Sequence, residues 1–458
     1  MKRKIGSLCI AAVAATAYAW PAHAQTSPVS IPEKDFGPVW TGFYVGAAFG
    51  AGGMVNRLNS GGAGVASSFD GGGASGVLGS IYGGVDYQIT QRGVLGLMAE
   101  LSYGGGQGGV NAQTPGAVAG VNQYAGLGWA VLARTGFLAS PTTLLYLTGG
   151  YTGLVINTSS YASGFGATAN FSGSSTVNGW TVGPGFETML ADNLSAKLEY
   201  RYSQYGTANV PGTAIAMQPS THAVRAGLTY RFGGLGVVSS ANSLGSARQA
   251  MTNWTGVYGG VAAGGGMGFG SVRATATPGT FANFDNGGQG LIGGFFGGAD
   301  WQFAPQALVG ILADFSWMRL RSTTNINSPV GNAYGTLEAN RQWSVMGRVG
   351  WLPMPSTLIY AAGGYSQLNV QGTASFTTPG ATGYLQNDNT FSGFTVAPGI
   401  ETVVTGGWTT RLEYRFSQFE QKDVLPGLSM QPSNHTIRAG LSYKFGIGGS
   451  TLVARAEE

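Results

Sequence analysis

The sequence is poor in charge. Asp, Glu, Lys and Arg make up 9% of its 458 residues, against about a quarter in an ordinary soluble domain. The 23 basic and 19 acidic residues nearly cancel, and three of the basic ones, Lys2, Arg3 and Lys4, stand together at the start. Such a chain has no basic footprint for nucleic acid, and no nucleic-acid partner is expected. The single cysteine, Cys9, belongs to the same N-terminal stretch. The rest of the chain therefore has no thiol, no disulfide and no Cys-based metal site. Histidine is scarce too: His23, His222 and His435 are all there is. With no Gly-x-Ser-x-Gly elbow, neither a Ser-His-acid triad nor a metal centre has material to be built from. The chain is therefore expected to be no enzyme and to carry no cofactor or metal. After the N-terminal segment no run of 18 apolar residues occurs, so no transmembrane helix is available.

The first residues read as a secretory signal. Lys2–Lys4 form a basic start, residues 5–19 are apolar, and Ala22-His23-Ala24 has the small-x-small form of a cleavage site. Cleavage is expected between Ala24 and Gln25, making 1–24 a removed signal. The chain is rich in glycine (80 residues) and in aromatics, with 10 Trp, 20 Tyr and 22 Phe. A secreted, weakly charged, aromatic chain without an apolar helix points to an all-β transmembrane barrel, because only helices and closed barrels satisfy their backbone in lipid.

A long block occurs twice. Trp40-Thr-Gly-Phe-Tyr-Val-Gly returns as Trp254-Thr-Gly-Val-Tyr-Gly-Gly, and Gly83-Gly-Val-Asp-Tyr-Gln as Gly297-Gly-Ala-Asp-Trp-Gln. Leu198-Glu-Tyr-Arg-Tyr-Ser-Gln-Tyr returns as Leu412-Glu-Tyr-Arg-Phe-Ser-Gln-Phe. His222-Ala-Val-Arg-Ala-Gly-Leu-Thr-Tyr-Arg-Phe returns as His435-Thr-Ile-Arg-Ala-Gly-Leu-Ser-Tyr-Lys-Phe. This divides the chain into a flexible lead (25–39), a first repeat (40–232), a Gly/Ser/Ala/Asn linker (233–253), a second repeat (254–445) and a polar tail (446–458).

Each repeat contains eight strand-like runs, near 40–52, 76–89, 93–105, 124–138, 143–156, 177–189, 194–206 and 221–232 in the first. Short turns such as Thr90-Gln-Arg and Ala191-Asp-Asn alternate with long Gly-, Ser-, Ala-, Thr- and Asn-rich loops. That alternation is the outer-membrane barrel pattern, short turns periplasmic and long loops outside. The expected architecture is an antiparallel up-and-down barrel, two tandem eight-stranded barrels, with one 16-stranded barrel as the alternative.

Strand parity separates the faces: Lys197, Glu199, Arg201 and Ser203 face one way, Leu198, Tyr200 and Tyr202 the other. The inward charges of the first repeat are Asp86, Glu100, Arg134, Glu187, Lys197, Glu199, Arg201, Arg225 and Arg231. Those of the second are Asp300, Asp314, Arg348, Glu401, Arg411, Glu413, Arg415, Arg438 and Lys444. Every position keeps the sign of its charge, four acids and five bases per copy. A selectivity ring would carry one dominant sign. A balanced set in the narrow lumen of an eight-stranded barrel reads instead as a structural core of paired charges. Gly71-Gly-Gly and Gly264-Gly-Gly lack the helix and lysine of a phosphate loop and read as loop or bend glycine. His222 and His435 are expected at the outer rim, bonded to loop backbone.

Trp-Thr-Gly-x-Tyr, Leu-Glu-Tyr-Arg-[Tyr/Phe] and the closing [Val/Ile]-Arg-Ala-Gly-Leu-[Thr/Ser]-Tyr-[Arg/Lys]-Phe resemble the eight-stranded outer-membrane immunogenic and opacity-type barrels of Gram-negative bacteria. The resemblance implies a bacterial outer-membrane location and contact with outer-membrane lipid. It also implies insertion by the barrel-assembly machinery, and an envelope-structural or surface-interaction role through extracellular loops that meet an unnamed ligand or host surface. A porin forming a passive diffusion channel is the alternative. The sequence departs from the family pattern in having two copies and in the 13 residues after Phe445.

Overall fold

The computed structural model describes residues 40–445 apart from 63–64, 105, 192, 211–213, 233–252, 278 and 426. The expected cleavage residues Ala22, Ala24 and Gln25, the lead, the tail and most of the linker lie outside the described residues. Alternating small or apolar and polar residues give strands throughout. In the first copy these are β1 (Gly42–Gly62), β2 (Val65–Gln88), β3 (Gly93–Gly104), β4 (Gln107–Thr114), β5 (Ala117–Ser140), β6 (Thr143–Gly164), β7 (Ala167–Ala191), β8 (Leu194–Tyr205), β9 (Ala208–Asn209) and β10 (Ile215–Arg231). In the second they are β11 (Gly256–Thr277), β12 (Thr280–Ala304), β13 (Ala307–Ser328), β14 (Gly331–Met354), β15 (Thr357–Thr378), β16 (Ala381–Thr405), β17 (Trp408–Phe419), β18 (Lys422–Leu425) and β19 (Leu428–Lys444).

Each copy closes on itself. β1 pairs antiparallel with β10 from Tyr44–Arg231 to Ser60–Ile215, and with β2 on its other side. The ring then runs through β3, β5, β6, β7 and β8 back to β10. In the second copy β11 pairs with β19 from Tyr258–Lys444 to Ala274–Leu428, and the ring runs through β12 to β17. Among the described residues, closure leaves no unpaired edge in the lipid-facing wall, which hydrocarbon would penalise at every open N–H and C=O.

The expected long loops are for the most part strand. β1 is 21 residues and β2 is 24, and they remain paired from Gly42–Asp86 up to Gly62–Val65. Gly, Ala, Ser and Asn have weak intrinsic strand preference, which hid these segments from a propensity reading. Anchored at a barrel rim, they gain a full antiparallel ladder instead. β3 and β4 are one such strand interrupted at a glycine run. Gly104 has φ 94 and Gly106 φ 137, conformations that suit glycine alone.

Outward faces are apolar and exposed: Phe43, Phe49, Ile81, Leu97 and Val131 in the first copy, Val261, Leu291, Ile311 and Val349 in the second. Aromatics mark the band's edges. Tyr87, Phe137, Tyr230, Phe232, Trp301, Trp351 and Phe445 lie towards the short-turn end, and Tyr103, Tyr151, Trp180, Trp317 and Tyr365 lie further up the wall. Such girdles sit at the two membrane interfaces.

The two barrels meet along a seam that is nearly two-fold symmetric. Thr143 and Thr357, equivalent by the repeat, touch at 3.1 Å through their hydroxyls. Phe186, Leu198 and Val224 pack with Ile400, Leu412, Tyr414 and Ile437, again mostly equivalents. Beyond the membrane band the extensions pair across the copies: Ala66–Asp70 of β2 with Thr323–Asn327 of β13, and Val110–Gln113 of β4 with Phe281–Phe284 of β12. Gly72 pairs with its own equivalent, Asn286. Gly71-Gly-Gly is therefore not loop glycine. An added Cβ on Gly71 would run into Ser322 and Asn286, and one on Gly73 into Asn286 and Phe269.

Because each ring is complete, residues 25–234 and 250–458, made separately behind a signal, should each insert and show the heat-dependent gel shift of a folded barrel. Produced together, the halves should co-purify through the seam. Two halves that fail to fold while the intact chain folds would mean that closure requires strands from both copies.

Candidate functional site

All the inward charges named from the sequence are buried in the two lumens. In the first barrel they form two clusters. Towards the short-turn end Arg134 reaches Asp86 at 3.0 Å and also pairs with Glu187, while Arg231 bridges Asp86 at 3.0 Å and Glu187 at 2.9 Å. Higher up, Arg201 joins Glu199 to Glu100, the latter at 2.8 Å, and Arg225 also ends on Glu100. Lys197 lies 3.7 Å from Glu199. The second barrel repeats this plan. Arg348 links Asp300 (3.6 Å) and Glu401 (2.5 Å), and Lys444 takes the place of Arg231 on Asp300 at 2.5 Å. Arg415 joins Glu413 and Asp314 at 2.5 Å each, Arg438 meets Asp314 at 2.7 Å, and Arg411 lies 3.8 Å from Glu413.

These clusters come from several strands, so they tie the ring across its interior. Asp86 is on β2, Arg134 on β5, Glu187 on β7 and Arg231 on β10. Each acid touches at least one base, so neither sign dominates any level.

The sequence pattern did not reveal the aromatic frame around the charges. Tyr146 donates to Glu199 at 2.9 Å and Tyr360 to Glu413 at 2.7 Å. The Arg134 guanidinium stacks 3.9 Å from the Tyr146 ring, and Arg348 lies 4.0 Å from Tyr360. Lys197 sits 3.4 Å over Tyr82, and Arg411 3.3 Å over Phe296. A cation held over a ring face gains attraction that strengthens when water is excluded. Each of four tyrosines lies over a glycine of the neighbouring strand: Tyr44 over Gly84, Tyr146 over Gly185, Tyr258 over Gly298 and Tyr360 over Gly399. The retention of these aromatics at luminal parity in both copies was the available signal.

The Trp-Thr-Gly motif resolves into three tasks. Trp40 and Trp254 are fully buried beneath the lower charge clusters. Their indole N–H groups donate to the Pro141 and Pro355 carbonyls at 3.0 and 2.9 Å. Thr41 and Thr255 accept the Gln88 and Gln302 backbone N–H, each at 3.0 Å. Gly42 and Gly256 take φ 144 and 149, where a side chain is disfavoured. The motif therefore stoppers each barrel at its short-turn end. Above the charges each lumen is again packed with apolar side chains, such as Met54, Ile156 and Met217 in the first, and Leu320, Phe391 and Phe419 in the second. A cavity of about 40 Å³ beside Glu100, Arg201 and Arg225 has room for little more than a water molecule.

The histidines are not bonded to loop backbone as expected. His222 lies 2.5 Å from the Tyr200 hydroxyl and 2.8 Å from the Gln289 side chain of the other barrel. His435 lies 2.7 Å from the Tyr414 hydroxyl. Both point outward from their barrels, and His222 is part of the seam. Among the described residues, no three His, Cys, Asp or Glu side chains gather as a metal site.

Breaking a buried pair by removing one partner costs about 3–5 kcal/mol. Arg201→Leu or Arg415→Leu should therefore lower the unfolding temperature in detergent sharply, whereas Phe165→Ser at an exposed hairpin tip should leave it unchanged. Gly185→Ala should act like the arginine changes, since its methyl would push Tyr146 off Glu199. Equal tolerance at all these sites, measured by heat-dependent gel shift, would show that the charges are solvated.

Known outer-membrane proteins share parts of this sequence. The model of the outer membrane protein beta-barrel domain matches twice, over residues 5–232 and 237–445. A 31 kDa outer-membrane immunogenic protein of Brucella melitensis is 25% identical over 220 residues, 46% of this chain and 91% of that protein. A 22 kDa outer membrane protein of Rhizobium leguminosarum is 30% identical over 200 residues, 42% of this chain and 79% of that protein. Each thus matches about one repeat's length. The solved toluene transporter TodX of Pseudomonas putida is 10% identical with a TM-score of 0.27, covering 88% of this chain and 90% of its own. The doubled match and the two closed, aromatic-girdled barrels lead to one conclusion: this chain is an outer-membrane protein and belongs to the outer membrane protein beta-barrel family, whose domain it carries in two copies.

Proposed function

We propose that this protein is a non-enzymatic component of the envelope surface, two closed barrels that anchor and display paired extracellular β-extensions. The observation that carries this reading is the filled lumen. From Trp40 upward the first barrel is occupied in turn by a stopper, two ion-pair clusters and an apolar layer, and the second repeats the order from Trp254. A diffusion channel needs a continuous aqueous path lined with polar groups that face water. Charges that are buried and mutually paired serve rigidity instead.

The extensions are the part built to meet something else. They carry the sequence on which the copies differ most, and they are joined across the copies into one platform. Ligands or host surfaces outside the cell would be met there, while outer-membrane lipid contacts the apolar wall and the barrel-assembly machinery inserts each ring. For catalysis the material is thin, since His222 and His435 are each engaged by a tyrosine in the outer wall.

Refolded mature protein in a planar bilayer should give little conductance, with only small, rare openings. Replacing Trp40 and Arg231 together by Ala should raise opening frequency, because the stopper and its overlying cation leave together. A steady, large conductance from the unsubstituted protein would overturn the closed-barrel reading in favour of a porin.

A further inference from the structure

A crevice of about 600 Å³ opens along one flank of the seam, between the outer walls of the two barrels. Ala47, Phe49, Ala196 and Leu228 form one side, and Ile359 and Pro398 the other. Its lining is almost wholly apolar. Lys197 and Tyr360 also touch it, but their polar ends are engaged inside the lumens, over Tyr82 and on Glu413. Pro398 brings no backbone N–H.

The crevice lies at hydrocarbon depth. Ala47 pairs with Leu228 on the same wall that carries Phe43 and Phe232 nearer the short-turn end. The lining offers a polar ligand almost no exposed donor or acceptor. A void in hydrocarbon forfeits dispersion contacts on both walls. Ligand pockets commonly span about 300–1,000 Å³, so this one is large enough for an elongated molecule. We propose that the crevice is a lipid site, in which one acyl chain of an outer-membrane lipid lies between the barrels and completes the seam.

The repeat explains why the site favours this flank. Positions equivalent to Ala47, Ala196 and Ile400 on the opposite flank carry the larger Val261, Thr410 and Phe186. Only Phe49 is larger than its counterpart, Ala263, and its ring walls the crevice rather than filling it. The small side chains Ala47 and Ala196 therefore make the space, with Ala226, matched by Ala439 in the other copy, beside them.

The test uses the full mature chain, delipidated in detergent and observed by native mass spectrometry. Phosphatidylethanolamine with palmitoyl chains is the probe. The unsubstituted protein should retain one lipid through gentle activation. Ala47→Trp and Ala226→Trp should lose it, while Ala133→Trp, exposed on β5 away from the seam, should keep it. Ala47→Val, the residue of the second copy, should weaken retention if the larger substitutions prevent folding, as judged by heat-dependent gel shift. A single-chain lysolipid should also bind, and glycerophosphoethanolamine should not. The proposal is overturned if the unsubstituted protein retains no lipid. It is equally overturned if the filling variants retain as much as Ala133→Trp, or if the headgroup compound binds.

Discussion

Every backbone N–H and C=O that enters hydrocarbon must be paired within the protein, and most of this structure depends on that constraint. It forces each run of strands to close. Closure at eight strands leaves a lumen just wide enough for side chains. A polar side chain in that space cannot be hydrated as it would be in a wide pore, so charges must be brought in as partners. The matched acids and bases, the tyrosines over facing glycines and the tryptophan stopper answer the same demand for a filled interior. Asp86, for instance, is held by bases from two other strands, and that cross-bracing resists changes in the shape of the ring.

Duplication adds a second layer. The copies are most alike inside, where Arg134, Glu187 and Arg201 have Arg348, Glu401 and Arg415 as equivalents. They differ where they face one another and where they leave the membrane. In lipid a seam between two apolar walls gains little from the hydrophobic effect, and close packing decides it. Equivalent positions meet along the seam, Thr143 with Thr357 and Leu198 beside Leu412, and this near-symmetric fit lets the walls approach. Above the membrane the strand pairings between β2 and β13 and between β4 and β12 use ordinary backbone hydrogen bonds to the same end. The linker adds a covalent tie between surfaces that are already complementary.

Much of this was legible in the sequence because the interior obeys a period of two and the repeat supplies a comparison. The shared signs at Asp86 and Asp300, or at Arg231 and Lys444, mark luminal positions without any knowledge of the fold. Trp40 and Tyr146 are equally repeated but do not read as lumen, because aromatic residues also mark the membrane interfaces and parity alone does not separate those roles. The extensions are hidden for another reason. Segments such as residues 65–76 are built mostly of Ala, Ser and Gly, none of which favours strand on its own, and only pairing to a neighbour makes them strand. The expected bond of His222 to loop backbone is replaced by one to Gln289 of the other barrel, a contact that no local pattern announces.

Each copy closes on itself, with β1 against β10 and β11 against β19. The chain has no cysteine after Cys9, which makes disulfide trapping clean. Cysteines at Ala47 and Leu228 are cross-strand partners on the outer wall of the first barrel. Cysteines at Ala47 and Leu441 would be partners only if β1 and β19 joined the copies into one ring. Under mild oxidation in the membrane, A47C/L228C should cross-link in high yield and A47C/L441C should not. The reverse result would make the molecule a single large barrel.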